Sequence, residues 1–477
     1  MEIVSEILYI IFIVAYIYTV VSSIIVVLLE NKHPVRTTAW ILVLVFLPLI
    51  GLLLYFLFGR SFQRQRKISK KIKRKIHSRI DYYAAEEKCL EGCIPENQKR
   101  LIKLLRKSSD AAIFSNTEIE IYTDGKILFK DMLEEMDKAT HNIHAEYYAV
   151  ETDETGNLFK DMLIKKAQQG LEVRLIYDDV GSWRLKRSTI QEMQKAGVKL
   201  ESFFKLRFPY FTNKLNYRNH RKILVIDGNI GFLGGFNIAD RYTKGLEWGN
   251  WRDTHIKLRG NGVAGLQSVF VTDWLYMTKK LIFDKNYSPI TNSEHNSHVQ
   301  IVGSGPDSTW QGIMQGFCHA IQNAQKYVYV QTPYFLPNES IGNALECAAL
   351  SGIDVRIMIP SRSDVRLSLE ASFSFVRSML AAGVKVYLYQ DGFIHAKSIA
   401  IDDELAIIGS ANMDFRSFDQ NFEISAFIYD KGKSVELKDI FLKDLKHCKR
   451  LQYSIWKHRP FSQKLIQSFA RLFSPIL

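Results

Sequence analysis

Asn219 to Asn237 reads NHRKILVIDGNIGFLGGFN, and Ile394 to Asn412 reads IHAKSIAIDDELAIIGSAN. Each is an apolar run, an Asp-containing turn and a second apolar run, the pattern of a β-hairpin. A hairpin needs neither a histidine nor an asparagine at a fixed distance. Yet His220 precedes Lys222 by two residues, Asp227 by seven and Asn237 by seventeen, and His395 precedes Lys397, Asp402 and Asn412 by the same intervals. One copy alone would be read as a core histidine beside a solvated lysine. Two matched copies predict a duplicated site.

The duplication extends upstream. AEYYAV (Ala145 to Val150), QGLEVRLIYDD (Gln169 to Asp179) and KAGVKLESF precede the first hairpin; VYVQTPYFLP (Val328 to Pro337), SGIDVRIMIPS (Ser351 to Ser361) and AAGVKVYLYQ precede the second. Short β-branched runs alternate with amphipathic segments such as FKDMLIKKAQQG, the pattern of buried sheets flanked by helices. The expected fold class is α/β: two lobes with mixed sheets, related by a pseudo-twofold axis.

On a strand, side chains alternate faces, so His220 and Lys222 are expected on one side with Arg221 pointing away, and His395 and Lys397 likewise. Asp227 and Asp402 fall at the turns, where Asp bonds to backbone, and are expected to organise the site. If the lobes face each other, two imidazoles, two ammonium groups and two Asn amides converge. That set suits a phosphodiester. Lysines neutralise the non-bridging oxygens, Asn237 and Asn412 donate to them, one histidine attacks phosphorus and the other protonates the leaving alcohol. Each ring then needs a carboxylate to fix its tautomer; Asp253 in NWRDTH and Glu423 in NFEISA are the candidates, with their pairing left open. No acidic cluster or helical His pair accompanies the motifs, so no metal and no cofactor is expected.

H-x-K-x4-D twice, each followed by Gly-Gly or Gly-Ser and then Asn, resembles the phospholipase D superfamily. WRDTHIKLRG, QTPYFLP, GSANMDFRSF and an amino-terminal WILVLVFLPLIGLLLYFLFGR are similar to its bacterial cardiolipin synthase branch. The resemblance spans nearly the whole chain and is weakest over 61–117. It implies a membrane phosphatidyltransferase that joins two phosphatidylglycerol molecules into cardiolipin and releases glycerol, with phospholipid partners and no nucleic acid. It also implies that His220 is the nucleophile, through a phosphohistidine, and His395 the acid. Lys222, Asp227, Lys397 and Asp402 complete the two motifs, and Asn237 and Asn412 contact phosphate. Arg241 in NIADRY departs from the acidic residue more usual there.

The same chemistry can deliver the phosphatidyl group to water or cleave nucleic acid, and a silent phosphate-binding scaffold is a third reading. The amino-terminal region favours lipid. Ile7 to Leu29 holds 23 residues without a charge, about the 30 Å of a bilayer core as a helix. A second uncharged run, Thr37 to Phe58, follows the short loop ENKHPVR. A transmembrane hairpin is expected. Arg60 to Arg79, with ten Lys or Arg and no acid, accounts for much of the +13 net charge and predicts a multi-pass inner-membrane protein with a cytoplasmic body.

The expected domains are a hairpin over 1–60, a basic linker over 61–117, lobes over 118–290 and 291–430, and an amphipathic tail over 431–477. In that tail Phe461, Leu465, Ile466, Phe469, Leu472 and Phe473 share a helical face, for core packing or a membrane surface. The five cysteines, Cys89 and Cys93 among them, lack zinc spacing and predict free thiols. Oligomeric state is not encoded in any motif.

Overall fold

The computed structural model describes residues 2–29, 34–55, 94–205, 216–282, 287, 297–475 and 477. The basic run Arg60 to Arg79 and the pair Cys89 and Cys93 lie outside them. The described chain forms two units, an amino-terminal helical unit and a larger α/β body.

In the first unit Glu2–Leu29 is a continuous helix, and Ile3–Leu29 is the one described helix long and apolar enough to cross a membrane. The second apolar run is broken. Pro34–Phe46 and Pro48–Leu54 are separate helices, because Pro48 has no N–H for the preceding turn and Leu47 leaves helical geometry at φ −134° and ψ 62°. Val27, Leu44 and Tyr55 form a small core between them and the first helix, with the Trp40 and Tyr55 rings edge to face at 5.3 Å.

The body is built on one sheet of fifteen strands. The first half supplies β1 (Ile113–Tyr122), β2 (Asn142–Tyr147), β3 (Glu172–Asp178), β4 (Lys199–Phe203), β5 (Lys222–Ile226), β6 (Ile230–Gly234) and β8 (His255–Gly260), with a short β7 (Asn250–Arg252) outside the sheet. The second half supplies β9 (Ser297–Ser304), β10 (Tyr327–Gln331), β12 (Asp354–Pro360), β13 (Lys385–Tyr389), β15 (Ser398–Ile401), β16 (Leu405–Gly409) and β18 (Glu423–Tyr429). Three short strands, β11 (Phe335–Leu336), β14 (Gly392–Ile394) and β17 (Met413–Asp414), lie outside the sheet, and β19 (Cys448–Arg450) adds an edge. Read outward from the centre, the order is β1, β8, β6, β5, β2, β3, β4 on one side and β9, β18, β16, β15, β10, β12, β13, β19 on the other. Strand for strand, the two halves have the same topology.

β1 and β9 pair antiparallel, which joins the lobes into one sheet. One apolar core crosses that seam, with Ile223, Val225, Ile256 and Leu258 of the first half beside Ala406, Ile408, Ile424 and Ala426 of the second. Every residue of β5 and β16 is buried, so their unbroken apolar runs reflect a sheet covered on both faces. The segment expected as linker is folded into this body from residue 94 onward. Glu96–Ser109 is a helix whose Leu101 and Leu105 enter the second lobe's core, and Ile113–Tyr122 is a central strand. Its basic residues hid an amphipathic helix. The tail is likewise continuous with the second lobe, since Leu437 and Phe441 of the helix Lys431–Asp444 pack under the sheet.

Candidate active site

Both hairpins turn through the same geometry. Asp227 and Gly228 have φ of 51° and 63°, Asp402 and Asp403 of 59° and 61°, and Asn229 and Glu404 donate back to Ile226 and Ile401. Two successive left-handed residues make a type I′ turn, for which Asp and Gly are suited. The Asp227 carboxylate accepts from the backbone N–H groups of Thr140, His141 and Asn142 at 2.8 to 2.9 Å, and Asp402 from Gln325, Lys326 and Tyr327 at 2.6 to 2.8 Å. Each motif aspartate thereby ties its hairpin to the start of the neighbouring strand, β2 or β10. Neither lines the cleft that holds the histidines.

His220 stands two residues ahead of β5 and bonds across the lobes. Its N–H donates to Phe422 O at 2.9 Å, and Phe422 N–H donates to Arg218 O at 2.8 Å. The next residue, Glu423, therefore lies against the ring, with Nδ1 3.0 and 3.1 Å from its two oxygens. The second half repeats the device. β14 pairs parallel with β7, His395 N–H donates to Arg252 O at 2.7 Å, and Nδ1 of His395 is 2.6 Å from Asp253 Oδ2. Each histidine is oriented by the carboxylate of the other lobe.

The residues before the motif asparagines serve the same carboxylates. A β-carbon at Gly235 would collide with Asp253, and one at Gly234 with His255. At the matching position in the second half, Ser410 Oγ donates to Glu423, which also accepts from Asn421 Nδ2 at 3.2 Å. Burial alone would raise both acids. Lys397 and His395 hold Asp253 below the usual carboxylate range, and His220 and Lys222 do so for Glu423. Two ionised carboxylates thus accept from Nδ1–H of two neutral rings, leaving Nε2 for chemistry.

Burial is the main reason that both histidines are pushed down to about 4. The lysines fall for the same reason, Lys222 to about 7 and Lys397 to about 8. Each lysine donates to the carbonyl of its own histidine, Lys222 Nζ to His220 O at 2.6 Å and Lys397 Nζ to His395 O at 2.5 Å, and Lys397 Nζ also lies 2.9 Å from His395 Nδ1. Tyr148 meets the His220 ring edge on at 5.1 Å, and Trp251 lies 4.9 Å from His395. Arg221 turns away from the cleft and bonds to Asp273 and to the carbonyls of Glu423 and Ser304.

Both histidines line one cleft of about 670 Å³, together with Asn237, Asn412, Tyr148, Tyr242, Tyr334, Arg241 and Arg416. Asn237 takes a bond from Ala149 N–H at 3.1 Å and donates to Tyr242 at 2.7 Å; Asn412 donates to Asp414 at 3.0 Å. Arg241 and Arg416 each stand four residues past their asparagine. Arg241 is paired with Glu151, whereas among the described residues Arg416 has no side-chain hydrogen bond or ion pair. Tyr148 and Arg416 were not singled out from sequence, although the repeated Asn-x3-Arg spacing was a signal for the arginine. Among the described residues no group of three or more His, Cys, Asp or Glu is gathered as for a metal ion.

Known proteins resemble this chain in sequence and in fold. A family model for a cardiolipin synthase, phospholipase D-like domain matches residues 132–248 and 317–445, and one for a phospholipase D nuclease N-terminal region matches residues 7–60. A cardiolipin synthase of a Geobacillus species is 42% identical over 456 residues, 95% of this chain and 91% of that protein. One from Staphylococcus aureus is 39% identical over 476 residues, covering 98% and 96%. Among solved structures, a phosphatidylserine synthase from Haemophilus influenzae superimposes with TM-score 0.60 at 16% identity, covering 79% of this chain and all of that one, a likeness of fold.

Proposed function

The chain belongs to the cardiolipin synthase family of the phospholipase D superfamily, and on that premise we propose that it transfers a phosphatidyl group from one phosphatidylglycerol to another, giving cardiolipin and glycerol. The observation that carries the reading is the pair of histidine–carboxylate contacts exchanged between the lobes, which puts two neutral, oriented imidazoles in one cleft.

In this scheme His220 Nε2 attacks phosphorus. The bound phosphodiester anion draws a proton from solvent onto His395 Nε2, and as the bond to glycerol breaks that proton passes to the departing glycerol oxygen. The phosphatidyl group is then on His220, whose ring has become cationic, and Glu423 faces its Nδ1–H with both oxygens. His395, now neutral, takes the proton from the hydroxyl of a second phosphatidylglycerol, which attacks phosphorus, displaces the His220 nitrogen and forms cardiolipin. Lys397 beside Nδ1 disfavours a lasting positive charge on His395, which suits a group that must give its proton away. Lys222 and Lys397 supply the positive field for the phosphate oxygens, and Asn237 and Asn412 the nearby amides. One phosphodiester is exchanged for another, so excluding water decides between transfer and hydrolysis.

The apolar Ile3–Leu29 helix supports membrane association, and we place the second apolar run across the bilayer as well, with the body on the cytoplasmic side. The deciding experiment gives purified protein labelled phosphatidylglycerol alone. Cardiolipin with an equimolar amount of glycerol is expected; phosphatidic acid as the sole product would make the protein a hydrolase.

A further inference from the structure

The helix Phe461–Arg471 is amphipathic, and it is mounted the reverse way to a helix that covers a soluble core. Gln467 and Ala470 are its buried residues, while Phe461, Leu465, Phe469 and Leu472 are 78%, 59%, 59% and 74% exposed. The inner side is held by polar and cationic contacts. Arg459 Nε donates to Gln467 Oε1 at 2.8 Å, Gln467 Nε2 donates to Glu370 at 3.4 Å, and the Arg471 guanidinium lies 4.2 Å over the Phe375 ring. Docking through Gln467 and Arg471 leaves an apolar stripe facing outward, where contiguous exposed apolar surface marks an interaction site.

Charge selects the occupant. Residues 445–477 hold seven Lys or Arg and no Asp or Glu. An apolar stripe in a basic stretch that carries no acid complements an anionic phospholipid surface, with side chains entering the acyl boundary and ammonium groups among the phosphates. Position agrees. Beyond the helix, Pro475 O accepts from Gln420 Nε2 at 2.9 Å and Leu477 forms part of the cleft lining.

We propose that the outer face of Phe461–Arg471 is a membrane-docking surface for an anionic bilayer, which brings the mouth of the catalytic cleft to the level of the lipid headgroups. The surface stands on exposure and charge; only its benefit to turnover rests on the proposed reaction. The test uses the full chain in phosphatidylglycerol-containing vesicles doped with a phospholipid bearing a diazirine in its acyl chain, with adducts located by mass spectrometry. Adducts within 461–472 are expected beside those in Ile3–Leu29, and the double change Leu465→Ser and Phe469→Ser should remove them. That variant should also lose roughly tenfold turnover on bilayer phosphatidylglycerol while staying within about twofold of the parent on a micellar short-chain substrate. Adducts confined to the amino-terminal helices would overturn the proposal, as would cross-links from this face to residues 2–55 or to a second copy. Adducts at 461–472 in a protein that makes no cardiolipin would uphold the surface and defeat the proposed reaction.

Discussion

Glu423 lies 203 residues from His220 in the chain and 3.0 Å from its Nδ1, so the tautomer of the first-lobe histidine is fixed by the second lobe. His395 and Asp253 reciprocate at 2.6 Å. Neither lobe therefore holds a complete histidine–carboxylate pair of its own. Half-chains that folded alone would each present a histidine without its orienting acid.

Replacing the acid by its amide tests this. Gln at 423 or Asn at 253 keeps the shape but can offer N–H to Nδ1, which leaves the proton on Nε2 and blocks the attacking nitrogen. Glu423→Gln and Asp253→Asn are each expected to lower kcat on the order of 10²- to 10⁴-fold, the range of a general acid–base contribution, with the fold retained. Rates within a few fold of the parent in either variant would break the link between these carboxylates and catalysis.

The Gly-Gly and Gly-Ser pairs give a second, asymmetric prediction. Gly235→Ala places a methyl group on the Asp253 carboxylate and must displace it from His395. Ser410→Ala removes one donor to Glu423 and leaves Asn421 in place. The glycine change should lower kcat by at least about tenfold more than the serine change, since loss of one hydrogen bond to a charged group is worth about 1.5–3 kcal/mol and a collision moves the group itself. Equal losses would place Gly235 outside the positioning of Asp253.

The buried rings and lysines set the pH response. The attacking histidine must be neutral and is lost as pH falls through about 4, while the lysines lose charge as pH rises through about 7 and 8. Burial also holds His395 down to about 4 in the free protein, so it carries its acid proton only with the phosphodiester anion bound, and it loses that proton as pH rises, the same sign as the lysines. A bound phosphodiester anion raises the pKa of all three cations. The alkaline limb of kcat/KM should therefore begin by about pH 8 and lie at lower pH than that of kcat. A kcat/KM profile flat to pH 9 would mean that the lysine charges are not required. Folding shows the same asymmetry. Between pH 6.5 and about 4 the unfolded chain binds protons at His220 and His395 that the folded chain refuses, so acidification there removes stability at about 1.4 kcal/mol per pH unit for each ring.

Much of this was legible in the sequence, because duplication turns a weak motif into a strong one. The matched intervals from His220 and His395 exposed the site, and the alternating short strands exposed two α/β halves. The carboxylate pairing was not legible, since it depends on β7 meeting β14 and on Asn219 meeting Phe422 across the lobes, and no local pattern encodes a parallel bridge between distant segments. The 94–117 segment was hidden by its lysines and arginines, whose charged heads sit on one face of a helix that buries Leu101 and Leu105 on the other. The outward stripe of Phe461–Arg471 was visible as a stripe, but its direction depends on Gln467 and Arg471 docking inward.

The two histidines are similar in burial and pKa, and their lysines distinguish them. A phosphorylated ring carries positive charge with Nδ1–H intact. Both ammonium groups bond to their own histidine's carbonyl. At His220 the charge would meet both Glu423 oxygens, whereas at His395 it would meet one Asp253 oxygen and an ammonium 2.9 Å from the same nitrogen. The covalent intermediate is therefore expected on His220. Rapid acid quench of enzyme mixed with labelled phosphatidylglycerol, followed by peptide mapping under conditions that preserve phosphohistidine, should find the label in the peptide holding His220. His395→Ala should slow both formation and discharge of that adduct, and His220→Ala should abolish it together with turnover. Label on the peptide holding His395 would reverse the assignment, and the role of Lys397 would then be to hasten departure of the phosphoryl group from a ring it destabilises.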